Sequence, residues 1–202
     1  MLCVEVSRPP KVYIMLEHAF VISTTLVAIG EIGDKTQLLS FALAQRYRAP
    51  WLILAGVIAA TVLNHGLSVY FGQWLTQFVS VFWLTLILGI SFIALGLWML
   101  VPDEEEDVNA KPQWGAFTAA FVLFFLAEIG DKTQIATVAL AARFPDQFWG
   151  VLSGSTLGMV LANLPVIWLG ATLANERWQR VAHRISAALF VLFGVLTLWQ
   201  LI

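Results

Sequence analysis

Long apolar runs alternate with short polar breaks along the whole chain. Six runs, at about 18–44, 51–75, 80–101, 114–142, 147–173 and 182–201, hold the roughly 20 largely apolar residues that a membrane-crossing helix needs. The breaks between them carry polar residues and prolines: Arg46, Arg48 and Pro50; Gln77 and Ser80; Pro102 to Pro112; Arg143, Pro145 and Asp146; and Asn175 to Arg184. The runs are too long for strands and lack a period of two, so they predict helices. The pattern therefore predicts an all-α polytopic membrane protein of six transmembrane helices. Residues 1–14, with Arg8, Pro9, Pro10 and Lys11, predict an irregular start.

The same pattern repeats. Residues 31–37 read Glu-Ile-Gly-Asp-Lys-Thr-Gln, and residues 128–134 repeat all seven letters 97 positions later. The flanks follow suit. Each motif is preceded by an apolar half-helix and followed by an apolar tail ending at Arg46 or Arg143. The next helix of each half carries a central asparagine, Asn64 or Asn163, and the third ends in Leu97-Trp98-Met99-Leu100 or Leu198-Trp199-Gln200-Leu201. The expected organisation is a first three-helix repeat at 1–101, an acidic cytoplasmic linker at 102–113 and a second three-helix repeat at 114–202. Three helices is an odd number, so the second repeat enters the membrane from the opposite side. Inverted-topology repeats of this kind build transporters with a midplane site at the repeat interface.

Composition fits this frame. Hydrophobic residues make up 59% and charged residues 12% of the 202, where a soluble domain has about 25% charged. A net charge of −2 gives no basic surface for nucleic acid. The single cysteine, Cys3, excludes an internal disulfide or a thiolate metal site. In the short loops, Arg46, Arg48, Lys111, Arg177, Arg180 and Arg184 fall on one side and Arg8, Lys11 and Arg143 on the other. The basic side is the cytoplasmic one, which puts both termini outside.

Glu31, Asp34, Glu128 and Asp131 then lie deep inside the bilayer. An acidic side chain at a helix centre costs about 3 kcal/mol even on lenient insertion scales, so four of them call for a compensating partner. With Lys35 and Lys132 the formal sum is −2, which one divalent cation or two protons would neutralise. On a continuous helix Glu31, Asp34, Lys35 and Leu38 share a face while Thr36 points nearly the opposite way, and the second motif behaves alike. Gly33 and Gly130 permit close helix approach or local unwinding, which would free carbonyl oxygens. Such an all-oxygen site suits Mg²⁺, Ca²⁺ or Mn²⁺. Alternatively, each Glu–Lys pair is an ion pair that staples helices; two identical copies at related positions argue against a mere staple. Gln37 and Gln134 are candidate ligands one turn away. Thr36 and Thr133 are expected to bond back to a carbonyl. Asn64 and Asn163 either complete the site or bond between helices. His65, beside Asn64, has no counterpart in the other half.

Two copies of Glu-x-Gly-Asp-[Lys/Arg]-[Thr/Ser] in a six-helix protein with an acidic central loop resemble uncharacterised protein family 0016. That family includes bacterial manganese exporters and Golgi manganese/calcium transporters and is grouped with calcium:cation antiporters. The resemblance covers residues 15–202. It implies that Glu31, Asp34, Glu128 and Asp131 bind the cation, with Lys35, Thr36, Lys132 and Thr133 completing the motifs, and that a small bacterial member exports Mn²⁺ across the inner membrane. The resulting expectation is a secondary active exporter of divalent cations, Mn²⁺ or else Ca²⁺, working by proton antiport. No P-loop offers ATP as the energy source, no cofactor is expected, and the cation is cargo. A passive cation channel and a metal-dependent membrane enzyme are the rival readings; no His, Ser or Arg cluster supports the enzyme. The two motifs are expected to form one composite site, opened alternately by rocking one half against the other.

Overall fold

The computed structural model describes residues 11–101, 114–169, 176–199 and 201. Among these residues the chain is all-helical, with eight helices in place of the six expected runs: α1 (Lys11–Gly30), α2 (Lys35–Tyr47), α3 (Pro50–Leu75), α4 (Val81–Trp98), α5 (Ala116–Glu128), α6 (Lys132–Arg143), α7 (Phe148–Leu169) and α8 (Glu176–Trp199). The two extra helices arise because the first and fourth runs are each broken at the repeated motif. Residues 11–14 are helical rather than irregular. The polar stretch 176–184, expected as a break, is the start of α8. The acidic linker at 102–113, with Lys111, and Arg8 lie outside the described residues.

Both breaks have the same cause. Gly33 and Gly130 adopt φ +85° and +76°, a left-handed conformation that stops a right-handed helix and that glycine adopts without strain. The aspartate that follows is extended (Asp34 φ −77°, ψ 166°; Asp131 φ −72°, ψ 163°) and occupies the cap position of the next helix. Gly-Asp is thus a helix stop followed at once by a helix start. Glutamine completes the turn: the Gly33 N–H donates to Gln37 Oε1 at 2.9 Å, and the Gly130 N–H donates to Gln134 Oε1 at 2.6 Å. Gln37 and Gln134, candidate ligands by position, therefore spend a side-chain oxygen on satisfying the break.

The two halves interleave. α1 packs along α7, α3 along α5 and α6, and α2 against α7 and α5. The equivalent contacts are in register: a Cβ on Gly56 of α3 would lie 2.6 Å from the Phe117 carbonyl oxygen, and one on Gly154 of α7 would lie 2.5 Å from that of Phe20. Phe20 and Phe117 are the same position of the two repeats. Only glycine allows backbones this close. Two apolar clusters lie on either side of the breaks. One joins Ala19 and Leu26 of α1 to Ala136 and Leu140 of α6 and takes in Phe92 and Phe190 of α4 and α8. The other joins Leu39 and Leu43 of α2 to Ala120 and Phe124 of α5 and, among the described residues, includes nothing from α4 or α8.

Among the described residues two helices, 50–75 and 148–168, are by themselves long and apolar enough to cross a membrane. Large apolar side chains face outward around the bundle, among them Trp51, Tyr70, Trp83, Trp149 and Trp199. So much exposed apolar surface is at home in lipid rather than in water.

Candidate cation site at the two helix breaks

The breaks bring both motifs to the centre of the bundle. Glu31, just past α1, and Glu128, at the end of α5, are fully buried, and Asp34 and Asp131 nearly so. One ligand oxygen each from Glu31, Glu128 and Asp131 lie within 4.8 Å of one another. Oxygens on opposite sides of a cation held at about 2.3–2.6 Å stand about 4.6–5.2 Å apart, so the three carboxylates can share one ion. Acids from both halves meet here. Asp34 is buried beside them but is not a member of the three-acid group.

Each glutamate is held by a threonine of its own motif. Thr36 Oγ1 donates to Glu31 Oε2 at 2.7 Å, and Thr133 Oγ1 donates to Glu128 Oε2 at 3.2 Å. The expectation that Thr36 points away from Glu31 and that both threonines bond back to a carbonyl is thereby corrected. It assumed an unbroken helix; the left-handed glycine swings the next helix so that its first-turn hydroxyl returns to the glutamate. The other oxygen of each glutamate, Oε1, is buried and accepts no hydrogen bond among the described residues. Buried carboxylate oxygens are normally satisfied; these two are acceptors suited to a cation.

Both lysines reach other elements of the fold. Lys35 Nζ reaches across to Asp131 Oδ1 at 3.1 Å, joining the halves. Lys132 Nζ donates to the Val101 carbonyl oxygen at 3.0 Å, just beyond α4, and lies 5.9 Å from the centre of the Trp98 ring. With the three clustered acids ionised and Lys35 beside them, the local sum is −3 + 1 = −2, matching a divalent cation. The starts of α2 and α6 also aim positive dipole ends at this layer. Asp131 uses one oxygen to accept from the Thr133 N–H at 3.2 Å, and that oxygen also lies 3.2 Å from the Thr133 hydroxyl, whose one proton it shares with Glu128. Asp34 makes no such cap bond.

Asn64 and Asn163 each bond between helices. Asn64 Nδ2 donates to the Phe125 carbonyl oxygen at 3.0 Å. A continuous helix would give that oxygen the Ile129 N–H, which the break diverts to Leu126. Asn163 accepts from Ser40 Oγ at 2.7 Å and donates to the Met159 carbonyl oxygen at 3.1 Å. Ser40 had no motif to signal it. Gln37 Nε2 adds a bond to the Ala162 carbonyl oxygen at 2.7 Å. His65 is buried on α3 outside the three-acid group.

A buried, oxygen-only acidic site assembled from two repeats of an apolar helical bundle defines a class: integral membrane proteins that handle cations. The family model described as "Divalent cation/proton antiporter GDT1" matches residues 19–107 and 116–202. The chain belongs to this family. It is 43% identical over 176 residues to a Vibrio cholerae protein named "Putative manganese exporter", with 87% of this chain and 88% of that protein covered. It is 30% identical over 203 residues to a GDT1-like protein of Synechocystis, covering 90% and 97%, and 27% identical over 222 residues to GDT1-like protein 5 of Arabidopsis thaliana, covering 91% and 96%. No solved structure matches the chain.

Proposed function

We propose that this protein is a secondary active transporter that exports Mn²⁺ from the bacterial cytoplasm across the inner membrane in exchange for protons. The observation that carries the reading is the meeting of Glu31, Glu128 and Asp131 within 4.8 Å, in a family of divalent cation/proton antiporters. Mn²⁺ is preferred to Ca²⁺ because of the name of the Vibrio cholerae relative; both are hard ions that accept carboxylate ligands. In this reading α1 with α2 and α5 with α6 each form one broken span. The chain then crosses six times as two inverted repeats, with both termini outside.

The exchange follows from charge. A dry site of sum −2 is stable holding either one divalent cation or two protons, and emptying it of both leaves uncompensated charge at a depth where charge is expensive. Binding of one therefore favours release of the other. Glu31 and Glu128 are the groups that take the protons: each keeps one oxygen on its threonine and offers the other to the ion. Asp131 instead accepts from Lys35 at 3.1 Å.

Proteoliposomes with Mn²⁺ outside, an acidic interior and a neutral exterior provide the test. The expected result is saturable Mn²⁺ uptake above the external concentration, abolished when an ionophore collapses the pH gradient. Uptake that only follows the Mn²⁺ gradient downhill would establish the passive channel instead. For topology, reporter fusions should place both termini outside; cytoplasmic termini would overturn the orientation while leaving the inversion of the repeats intact.

A further inference from the structure

The two repeats are related by a pseudo-two-fold, but the packing obeys it only in part. The central helices do: α1 on α7 is matched by α3 on α5, and α2 on α7 by α3 on α6. The last helix of each repeat does not. α4 and α8 pack tightly on each other, with Cβ atoms on Gly96 and Gly194 placed 2.8 Å from the Ala187 and 2.7 Å from the Gly89 carbonyl oxygens. As a pair they lie against α6 and α1. The two-fold would equally allow them to lie against α2 and α5, and among the described residues they contribute nothing to the apolar cluster there.

The latches at the site show the same one-sidedness. Lys132 holds the end of α4 through the Val101 carbonyl and the Trp98 ring. The symmetry mates of Lys132 and Trp98 are Lys35 and Trp199. Lys35 is instead bound to Asp131, and Trp199 is 72% exposed. At Gly30, a Cβ would lie 3.6 Å from Ser186 Oγ of α8 and 3.3 Å from Met99 Cε. The equivalent positions of the other repeats are Ala127 and Thr85.

We infer that α4 and α8 move as one body relative to the other six helices, exchanging the latch of Lys132 on Trp98 for one of Lys35 on Trp199, and that this movement switches the side from which the cation site is reached. This rests on the transport reading above. The moving body takes one helix from each repeat. The interleaving of α1 with α7 and α3 with α5 prevents the halves from rocking as separate blocks, so the rocking expected from the sequence is replaced by a slide. In the second state α4 and α8 cover α2 and α5, Lys132 pairs with Asp34 as Lys35 now pairs with Asp131, and Trp199 leaves the surface. Lys35, Lys132, Trp98 and Trp199 are positioning residues in this scheme.

The test uses the full-length protein with Cys3 replaced by serine, in membranes and in proteoliposomes. Two cysteine pairs are compared with a short bifunctional thiol reagent: Gly30→Cys with Ser186→Cys for the state seen here, and Thr85→Cys with Ala127→Cys for its image. Both pairs should cross-link, each cross-link should stop Mn²⁺ transport, and thiol reduction of a cleavable linker should restore it. Trp98→Ala should lower the first yield and raise the second, with Trp199→Ala doing the reverse; a tryptophan acting only as a lipid anchor would not produce opposite shifts. Absence of the Thr85–Ala127 product, or normal transport by Gly30–Ser186 cross-linked protein, overturns the slide. If the uncross-linked Cys3→Ser protein itself fails to drive Mn²⁺ uphill, the transport reading fails, and the slide with it.

Discussion

Two stretches of seven identical residues end up in different surroundings. In the second motif, Asp131 accepts from Lys35 and caps α6, and Lys132 is buried against α4. In the first, Asp34 makes no cap bond, and Lys35 reaches over to the other motif. The backbone is the same in both, with a left-handed glycine, an extended aspartate and a glutamine bonded back to the break. Local sequence therefore sets the shape of the break, and tertiary contact sets the electrostatics around it. If the two environments exchange during the transport cycle, mutating equivalent residues should have similar effects on transport even where their contacts here differ.

The largest effects belong to the glutamates. Glu31→Gln and Glu128→Gln should each reduce Mn²⁺ transport by more than the roughly 10–100-fold that follows loss of a group that only orients a ligand, with insertion unchanged, as judged by membrane yield and gel filtration. Normal transport by both variants would make the carboxylates structural. The aspartates come next. Asp34→Asn and Asp131→Asn should each slow transport by about 10–100-fold and by similar factors. A severe Asp131→Asn beside a near-normal Asp34→Asn would mean that the asymmetry is permanent.

Much of this was legible in the sequence and some was not. The seven-residue identity marked the repeat and the acids, because burying an acidic cluster twice is too costly to arise without a role. The stop-and-start meaning of Gly-Asp was equally present, but the apolar residues on both sides read as one helix. The directions of Thr36 and Thr133 were missed for that reason. The pairing of Lys35 with Asp131 and the bond from Ser40 to Asn163 were beyond reach, since both join residues almost a hundred or more positions apart. The interleaving of the copies, on which the proposed slide rests, was also hidden, because nothing in a linear repeat reveals it.

Smaller effects sharpen the comparison further. Gly33→Ala and Gly130→Ala should each cost about 1–2 kcal/mol, the penalty of a left-handed non-glycine residue, read as equal falls in thermal unfolding temperature. Unequal falls would mean that the breaks differ in backbone strain. Thr36→Val and Thr133→Val should each remove a hydrogen bond worth about 1 kcal/mol, read as a severalfold loss of Mn²⁺ affinity. Here the 2.7 Å bond of Thr36 against 3.2 Å for Thr133 makes Thr36→Val the larger loss in this state.

The central claim is that both motifs serve one cation site. Titration of the purified protein with Mn²⁺, followed by calorimetry at neutral pH, tests it most directly. The account predicts one ion per chain, release of protons on binding, and loss of that binding on Glu31→Gln or Glu128→Gln alone. Two ions per chain, with each variant losing one and keeping the other, would contradict it.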